Sequence, residues 1–286
     1  MTEHPTDAKF EPPRDNWAWE HYTHNPYNTV PKEPLPAPRT RAVTPEDPIA
    51  VDCFYSLRSP YSYLVLDRLL YLASNYNVDM QIRIIFPVAV RMPGTFSGAW
   101  YWYGYLMHDT KRVGAFQGIP IVYPDPDPIT QDVKGWPDAS LRVAPIEEQP
   151  YIVNLVRLGA AAQLEGKTLQ FFHHVGRRIW GSGQDWTKFL EQDVDAAGMD
   201  YGAITKDFQA NPDKYDDVWK KNQDDHVMTG HAGVPNMIIQ DVGEPFFGQD
   251  RFDQFFWRLR QNGLTLRGDP VEPIVPRPLR WPDTQQ

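Results

Sequence analysis

Apolar and polar positions recur with readable periods from residue 49 onward. Residues 50–57 form a run of β-type residues. Over 60–75, Tyr61, Val65, Leu66, Leu69, Leu70 and Ala73 share one face at helical spacing. Met80, Ile82, Ile84 and Phe86 then alternate with Gln81, Arg83 and Ile85, a strand that Pro87 ends. Strand, helix and strand make a βαβ unit, with parallel strands and a right-handed crossover. From 98 to 230 the pattern is helical, with helices expected at 99–117, 147–164, 168–180, 185–197, 200–210 and 213–229. The stretch 124–150, with prolines at 124, 126, 128, 137, 145 and 150, is too proline-rich for regular structure and too long for a plain connector. It reads as a lid or surface excursion. Strand character returns at 236–240, and a turn at 241–243 leads to 244–247, an antiparallel hairpin. A last amphipathic helix over 250–262 carries Phe252, Phe255, Phe256 and Leu259.

The order βα–β–(helices)–ββα describes an α/β fold, a thioredoxin-like domain with a large all-helical insertion. The domain is expected at 49–97 and 231–266, and the insertion at 98–230 with the excursion 124–150 inside it. Residues 1–48 form an extended proline-rich arm, and 267–286 a proline-rich tail strapped to the surface. The arm holds Trp17, Trp19, Tyr22 and Tyr27, which a freely solvated linker would not need, so this part is expected to pack on the domain or on a second subunit.

Composition narrows the function. A net charge of −9 without any Lys/Arg run disfavours nucleic acid as a partner. No window approaches the ~18–20 apolar residues of a membrane span, and residues 1–10 lack the apolar core of a secretory signal. The single cysteine, Cys53, rules out an internal disulfide and reads as a small buried hydrophobe in the first strand. A cytoplasmic protein is expected. Aromatic content of 13% with ten Trp points to aromatic-lined surfaces beyond the core.

Chemistry concentrates at three junctions. Ser59-Pro60-Tyr61-Ser62 sits at the first strand-to-helix turn, where thioredoxin-type proteins carry Cys-x-x-Cys. With serine at both ends, the spacing survives without dithiol chemistry. Ser59 suits an N-cap and Pro60 the first helical position, so the turn offers backbone N–H groups and the positive end of a helix dipole. Such an environment stabilises a thiolate, whose free pKa is ~8.5; plain capping explains the same residues. At Gly233-Val234-Pro235-Asn236 a proline opens a strand, and Val234-Pro235 is a candidate cis peptide that would turn the Val234 N–H and C=O outward, with an ordinary trans bond as the alternative. At Gly248-Gln249-Asp250, the start of the last helix can be capped by Asp250 or can receive an ammonium group.

These three signals occur in one familiar order. The stretches VDCFYSLRSPYSYLVLDRL, YGYLMHDTKRVGAFQGIPIVYP, IWGSGQDW and AGVPNMIIQDVGEPFFGQDRFDQF resemble the kappa-class glutathione transferase and 2-hydroxychromene-2-carboxylate isomerase family, relatives of DsbA-type thioredoxin folds. The resemblance covers most of 50–265. It implies glutathione as cofactor and a homodimer. By position, Ser59 matches the serine that activates the glutathione sulfur, and Val234, before Pro235, the residue that pairs with the cysteinyl unit. Gln249 and Asp250 match the pair that grips the γ-glutamyl end, and 91–96 falls where further glutathione contacts often lie.

The implied reaction is isomerisation of a small aromatic-derived, carboxylated substrate through a transient glutathione adduct. A transferase forming a stable conjugate and a non-catalytic thioredoxin-fold binding protein are the rival readings. Two departures leave the substrate open: Ser56 stands where these isomerases carry an acidic residue, and Arg58 where they carry an apolar one.

Around this site, the aromatic run of Trp100, Tyr101, Trp102, Tyr103 and Tyr105 puts rings on several helix faces. Trp100 and Tyr103 are the candidates for a substrate wall, with core packing the alternative. Arg58, Arg91 and Arg112 are candidate partners for a substrate carboxylate, against simple surface solvation. No metal is expected. His226 and His231 lie five apart, which does not align both rings on one helix face, and they read as a surface helix end near Gly230.

Overall fold

The computed structural model describes residues 35–92, 100–134 and 140–282. Trp17, Trp19, Tyr22 and Tyr27 lie outside the described residues, as do the side chains of Trp100 and Tyr103.

The β-type run forms β1 (Ile49–Tyr55), the helical face forms α1 (Pro60–Asn75), and the alternating segment forms β2 (Val78–Ile84). β1 and β2 are parallel, in register from Ile49↔Val78 to Tyr55↔Ile84. After the helical region come β5 (Asn236–Ile239) and β6 (Glu244–Phe247), and then α8 (Phe252–Gln261), entered through a short turn of helix at Gln249–Arg251. The sheet order is β2-β1-β5-β6, with β5 antiparallel to β1 and β6 antiparallel to β5. This is the thioredoxin-like fold. β1 lies between β2 and β5, and Val51, Cys53, Phe54 and Tyr55 are all buried. Apolar residues inside a two-sided sheet are what make that strand read as a continuous β run.

Between β2 and β5 run α2 (Trp100–Gln117), α3 (Pro150–Leu164), α4 (Thr168–Phe171, continued by a π turn at Phe172–Gly176 and by Arg177–Gly181), α5 (Leu190–Ala196), α6 (Tyr201–Ala210) and α7 (Pro212–Val227). The proline-rich stretch corrects the expectation of irregular structure. It holds two short antiparallel strands, β3 (Gln131–Lys134) and β4 (Ser140–Val143), paired from Gln131↔Val143 to Lys134↔Ser140. Prolines 124, 126, 128 and 145 all fall outside these strands, so the ladder loses no donor to them. Buried Gln149 secures its base: Oε1 accepts from Thr130 N at 2.7 Å, and Nε2 donates to the carbonyls of Thr130 and Ala144.

The described parts of both ends, 35–48 and 267–282, dock on this core. Arg39 pairs with Asp241 at 2.7 Å, and Arg258 donates to the carbonyl of Pro36. In the tail, Arg267 N bonds the Asn75 carbonyl, and Trp281 is buried against Tyr76, Phe252 and Phe256. Among the described residues no helix is long and apolar enough to cross a membrane.

Candidate functional site

The turn after β1 is held from both sides. Trp180 Nε1, on α4, donates to the Leu57 carbonyl at 2.7 Å. On α1, the Tyr61 hydroxyl donates to Asp109 of α2 at 2.6 Å, and the Tyr63 hydroxyl donates to the Pro120 carbonyl at 2.7 Å. The turn is therefore fixed by side chains from the helical region, not only by its own capping.

Ser59 is the N-cap. Its Oγ accepts from Ser62 N at 3.2 Å, and its carbonyl accepts from Tyr63 N. Pro60 has no N–H, which leaves the Tyr61 amide as the remaining donor of the first turn. A serine hydroxyl has one proton and two lone pairs. One lone pair caps the helix, and the proton points to the Val234 carbonyl at a long 3.5 Å. Ser62 is wholly buried.

Val234-Pro235 is a cis peptide, as the sequence suggested it could be. Among the described residues neither backbone group of Val234 has a backbone partner, although β5 begins two residues later. Three side chains hold the loop in front of it. Arg91 Nη2 donates to the Ala232 carbonyl at 2.7 Å, His226 Nε2 meets the Gly233 carbonyl at 3.0 Å, and His231 Nδ1 accepts from Gly233 N at 2.8 Å. The His231 ring stacks on Phe247 at 3.7 Å. His226 is fully buried, which corrects its reading as a surface helix end; burial and the nearby Arg91 charge lower its pKa to about 3. Its ring is neutral, with the proton on Nε2 facing the carbonyl.

The third junction follows directly. Gly248 N bonds the Pro235 carbonyl at 2.9 Å, and Gly248 has φ 102, a left-handed value that glycine adopts without strain. Gln249 is buried, and its carbonyl and Oε1 both accept from Arg68 Nη2, at 2.7 and 2.9 Å. Asp250 is exposed and pairs with the adjacent Arg251 at 2.7 Å. Ser59, Val234, Pro235 and Gln249 are thus linked through α1 and the β5–β6 hairpin.

The expected substrate arginines are engaged otherwise. Arg58 forms a two-point pair with Asp127, at 3.2 and 2.9 Å, tying the proline-rich stretch to the Ser59 turn. Arg91 supports the loop as above; burial lowers its pKa to about 10. Arg112 is exposed, 3.5 Å from Asp109 and over the Tyr105 ring. Cys53 is buried, and desolvation with the Asp52 charge pushes its thiol pKa well up, so it is no nucleophile.

Three residues at the site had no place in the sequence reading: Asp109, Gln117 and Arg68; Tyr61 was read only as an apolar-face position and a member of the serine motif. Arg68 did leave a signal, since it lies one turn from both Leu64 and Leu72 on the apolar face of α1.

Residues 50–260 match the family described as the DSBA-like thioredoxin domain. Among solved structures, the chain is similar to a 2-hydroxychromene-2-carboxylate isomerase, with 20% identity and a TM-score of 0.56 over 74% of this chain and 95% of the other. It is also similar to a probable DsbA oxidoreductase from Streptomyces coelicolor, with 15% identity and a TM-score of 0.52 over 75% and 89%. At these identities the likeness is one of fold. No curated protein sequence matches significantly.

Proposed function

The chain belongs to the DSBA-like thioredoxin family, and on that premise we propose that it is a glutathione-dependent isomerase of an aromatic-derived, carboxylated small molecule. One observation carries this reading. At a turn with serine at both thiol positions, the Ser59 hydroxyl lies 3.5 Å from a Val234 carbonyl that has no ladder partner among the described residues. A backbone unit left unpaired beside a sheet can receive an extended peptide. A hydroxyl proton without a short acceptor can be given to a sulfur. These residues fit a tripeptide thiol brought from outside better than they fit dithiol redox chemistry, for which the single, buried Cys53 offers no partner.

Glutathione, when bound, would supply a thiolate nucleophile that adds reversibly to an electrophilic double bond. The chain's own residues do the rest. Ser59 and the amide end of α1 hold the sulfur as its anion. Val234 aligns the peptide through its N–H and C=O, while Arg91 and His226 keep that loop in place. Tyr61 stays protonated, because burial and the Asp109 hydrogen bond raise its pKa well above the ordinary tyrosine value. The likeness in fold to a solved 2-hydroxychromene-2-carboxylate isomerase favours isomerisation over stable conjugation. A cytoplasmic setting and a homodimer go with this reading.

The test is a titration of glutathione against wild type and Ser59→Ala, following binding and thiolate absorbance together. Absence of binding to wild type removes the proposal. Binding with an unchanged thiol pKa in Ser59→Ala removes the role of Ser59. Stoichiometric loss of glutathione during turnover would point to a transferase instead.

A further inference from the structure

α4 carries two adjacent histidines that the function proposed above does not use. His173 and His174 lie in the π turn at Phe172–Gly176, whose Phe172, Val175 and Gly176 are buried in the core. A π turn closes its hydrogen bonds over five residues instead of four. Neighbouring residues are therefore rotated less about the axis, and here two successive rings line one cavity. The rings stand at 89° to each other with centroids 4.9 Å apart. His173 Nδ1 is buried and has no hydrogen-bond partner among the described residues.

Arg177 and Arg178 follow four residues on and line the same cavity, but their engagement differs. Arg178 is saturated. Its Nε and Nη2 pair with Asp193 of α5 at 2.7 and 3.0 Å, and its Nη1 donates to Gln184. Arg177 donates through Nη2, to Asp67 of α1 at 2.7 Å, and its Nε and Nη1 have no acceptor among the described residues. The cavity measures about 390 Å³, within the ~300–1,000 Å³ of small-molecule sites. None of Ser59, Val234, Gln249 and Asp250 lines it.

The two arginines balance Asp67 and Asp193, and both rings are neutral. Burial lowers the His173 pKa to about 4; the Arg177 charge and His174 add to this, and Asp67 and Glu272 oppose it. Burial lowers His174 too, with Asp193 opposing and Arg177 and Arg178 adding. An anion in the cavity would take up the spare Arg177 donors and supply the counter-charge that a protonated ring needs. Two perpendicular rings and a guanidinium beside them do not share a plane, which suits a tetrahedral oxyanion better than a planar carboxylate.

We propose that Arg177, His173 and His174 form a binding site for a tetrahedral oxyanion, either free phosphate or the phosphate of a small monoester. The site stands independently of the glutathione reading.

Binding isotherms of the full chain with inorganic phosphate, phenyl phosphate and acetate test this. Wild type should bind both phosphates at least about 10-fold more tightly than acetate, and Arg177→Met should lose about 10-fold in phosphate affinity. Tighter binding of phenyl phosphate assigns a monoester, and equal or weaker binding assigns the free ion. Asp67→Asn should tighten phosphate by about 3-fold or more, because the competing carboxylate is gone. This variant decides the matter if Arg177→Met fails to fold. Sulfate, which carries a fixed charge, should bind about 3-fold more tightly at about pH 5.5 than at about pH 7.5, since the bound anion raises the imidazole pKa. That gain should vanish when His173→Asn and His174→Asn are combined. Absence of phosphate binding to wild type, equal affinity for acetate, phosphate affinity unchanged in Arg177→Met or Asp67→Asn, or a flat sulfate profile overturns the site.

Discussion

The Ser59 side-chain oxygen lies 3.5 Å from the Val234 carbonyl oxygen, across 175 residues of sequence. The same oxygen caps α1 by accepting from Ser62 N. One hydroxyl therefore serves the helix with a lone pair and the site with its proton, and a substitution disturbs both.

The two duties separate by choice of replacement. Ser59→Ala should lower unfolding free energy by about 1 kcal/mol, whereas Ser59→Gly should cost only a few tenths. Both should raise the pKa of a bound thiol equally, since both lack the hydroxyl. Urea melts beside thiolate titrations check this, and a pKa change that follows the stability loss would count against a direct contact.

Gly233 has no room for a methyl, because an added Cβ would overlap the Phe247 ring and press on His231. Gly233→Ala should cost about 1–3 kcal/mol through overpacking and weaken tripeptide binding by displacing Val234. Phe247→Ala in the same chain should recover part of the stability. A double-mutant cycle measures the coupling.

His226 gives acid sensitivity of a definite sign. Its pKa is lowered from 6.5 to about 3 in the folded chain, so above pH 6.5 both folded and unfolded forms are neutral and its contribution is complete. As pH falls from 6.5 toward 3, the unfolded chain takes a proton that the buried ring refuses. Between pH 6.5 and 5 this should remove about 2 kcal/mol. Chemical denaturation at several pH values should show that loss, and His226→Gln should have a shallower profile over the same window.

Arg58 and Asp127 form a two-point, partly buried pair. Each single alanine variant should lower stability by about 1–3 kcal/mol, and the double variant by less than their sum. If Arg58 instead held a substrate carboxylate, Arg58→Ala would raise KM and leave the melting temperature unchanged.

Element order was readable because helix and strand periods are properties of neighbouring residues. α1 occupies 60–75, as its apolar face requires, and the β6 segment 244–247 also coincides with its strand. The strands at 131–134 and 140–143 were not readable. Prolines 124, 126, 128 and 145 fall outside the ladder, and proline density alone does not tell inside from outside. His226 was misjudged for a related reason: its depth depends on Phe54 of β1, packed at 4.9 Å, which no local pattern near residue 226 records.

The N-cap at Ser59 and the proline opening β5 follow from short-range chemistry, and the chain alone was enough to name them. Folding decided what each faces. It set Ser59 against Val234, turned Arg58 to Asp127 and Arg91 to the Ala232 carbonyl, and turned Arg68 to Gln249. These outcomes depend on which distant segments pack together, and a charged side chain takes the partner that packing leaves within reach.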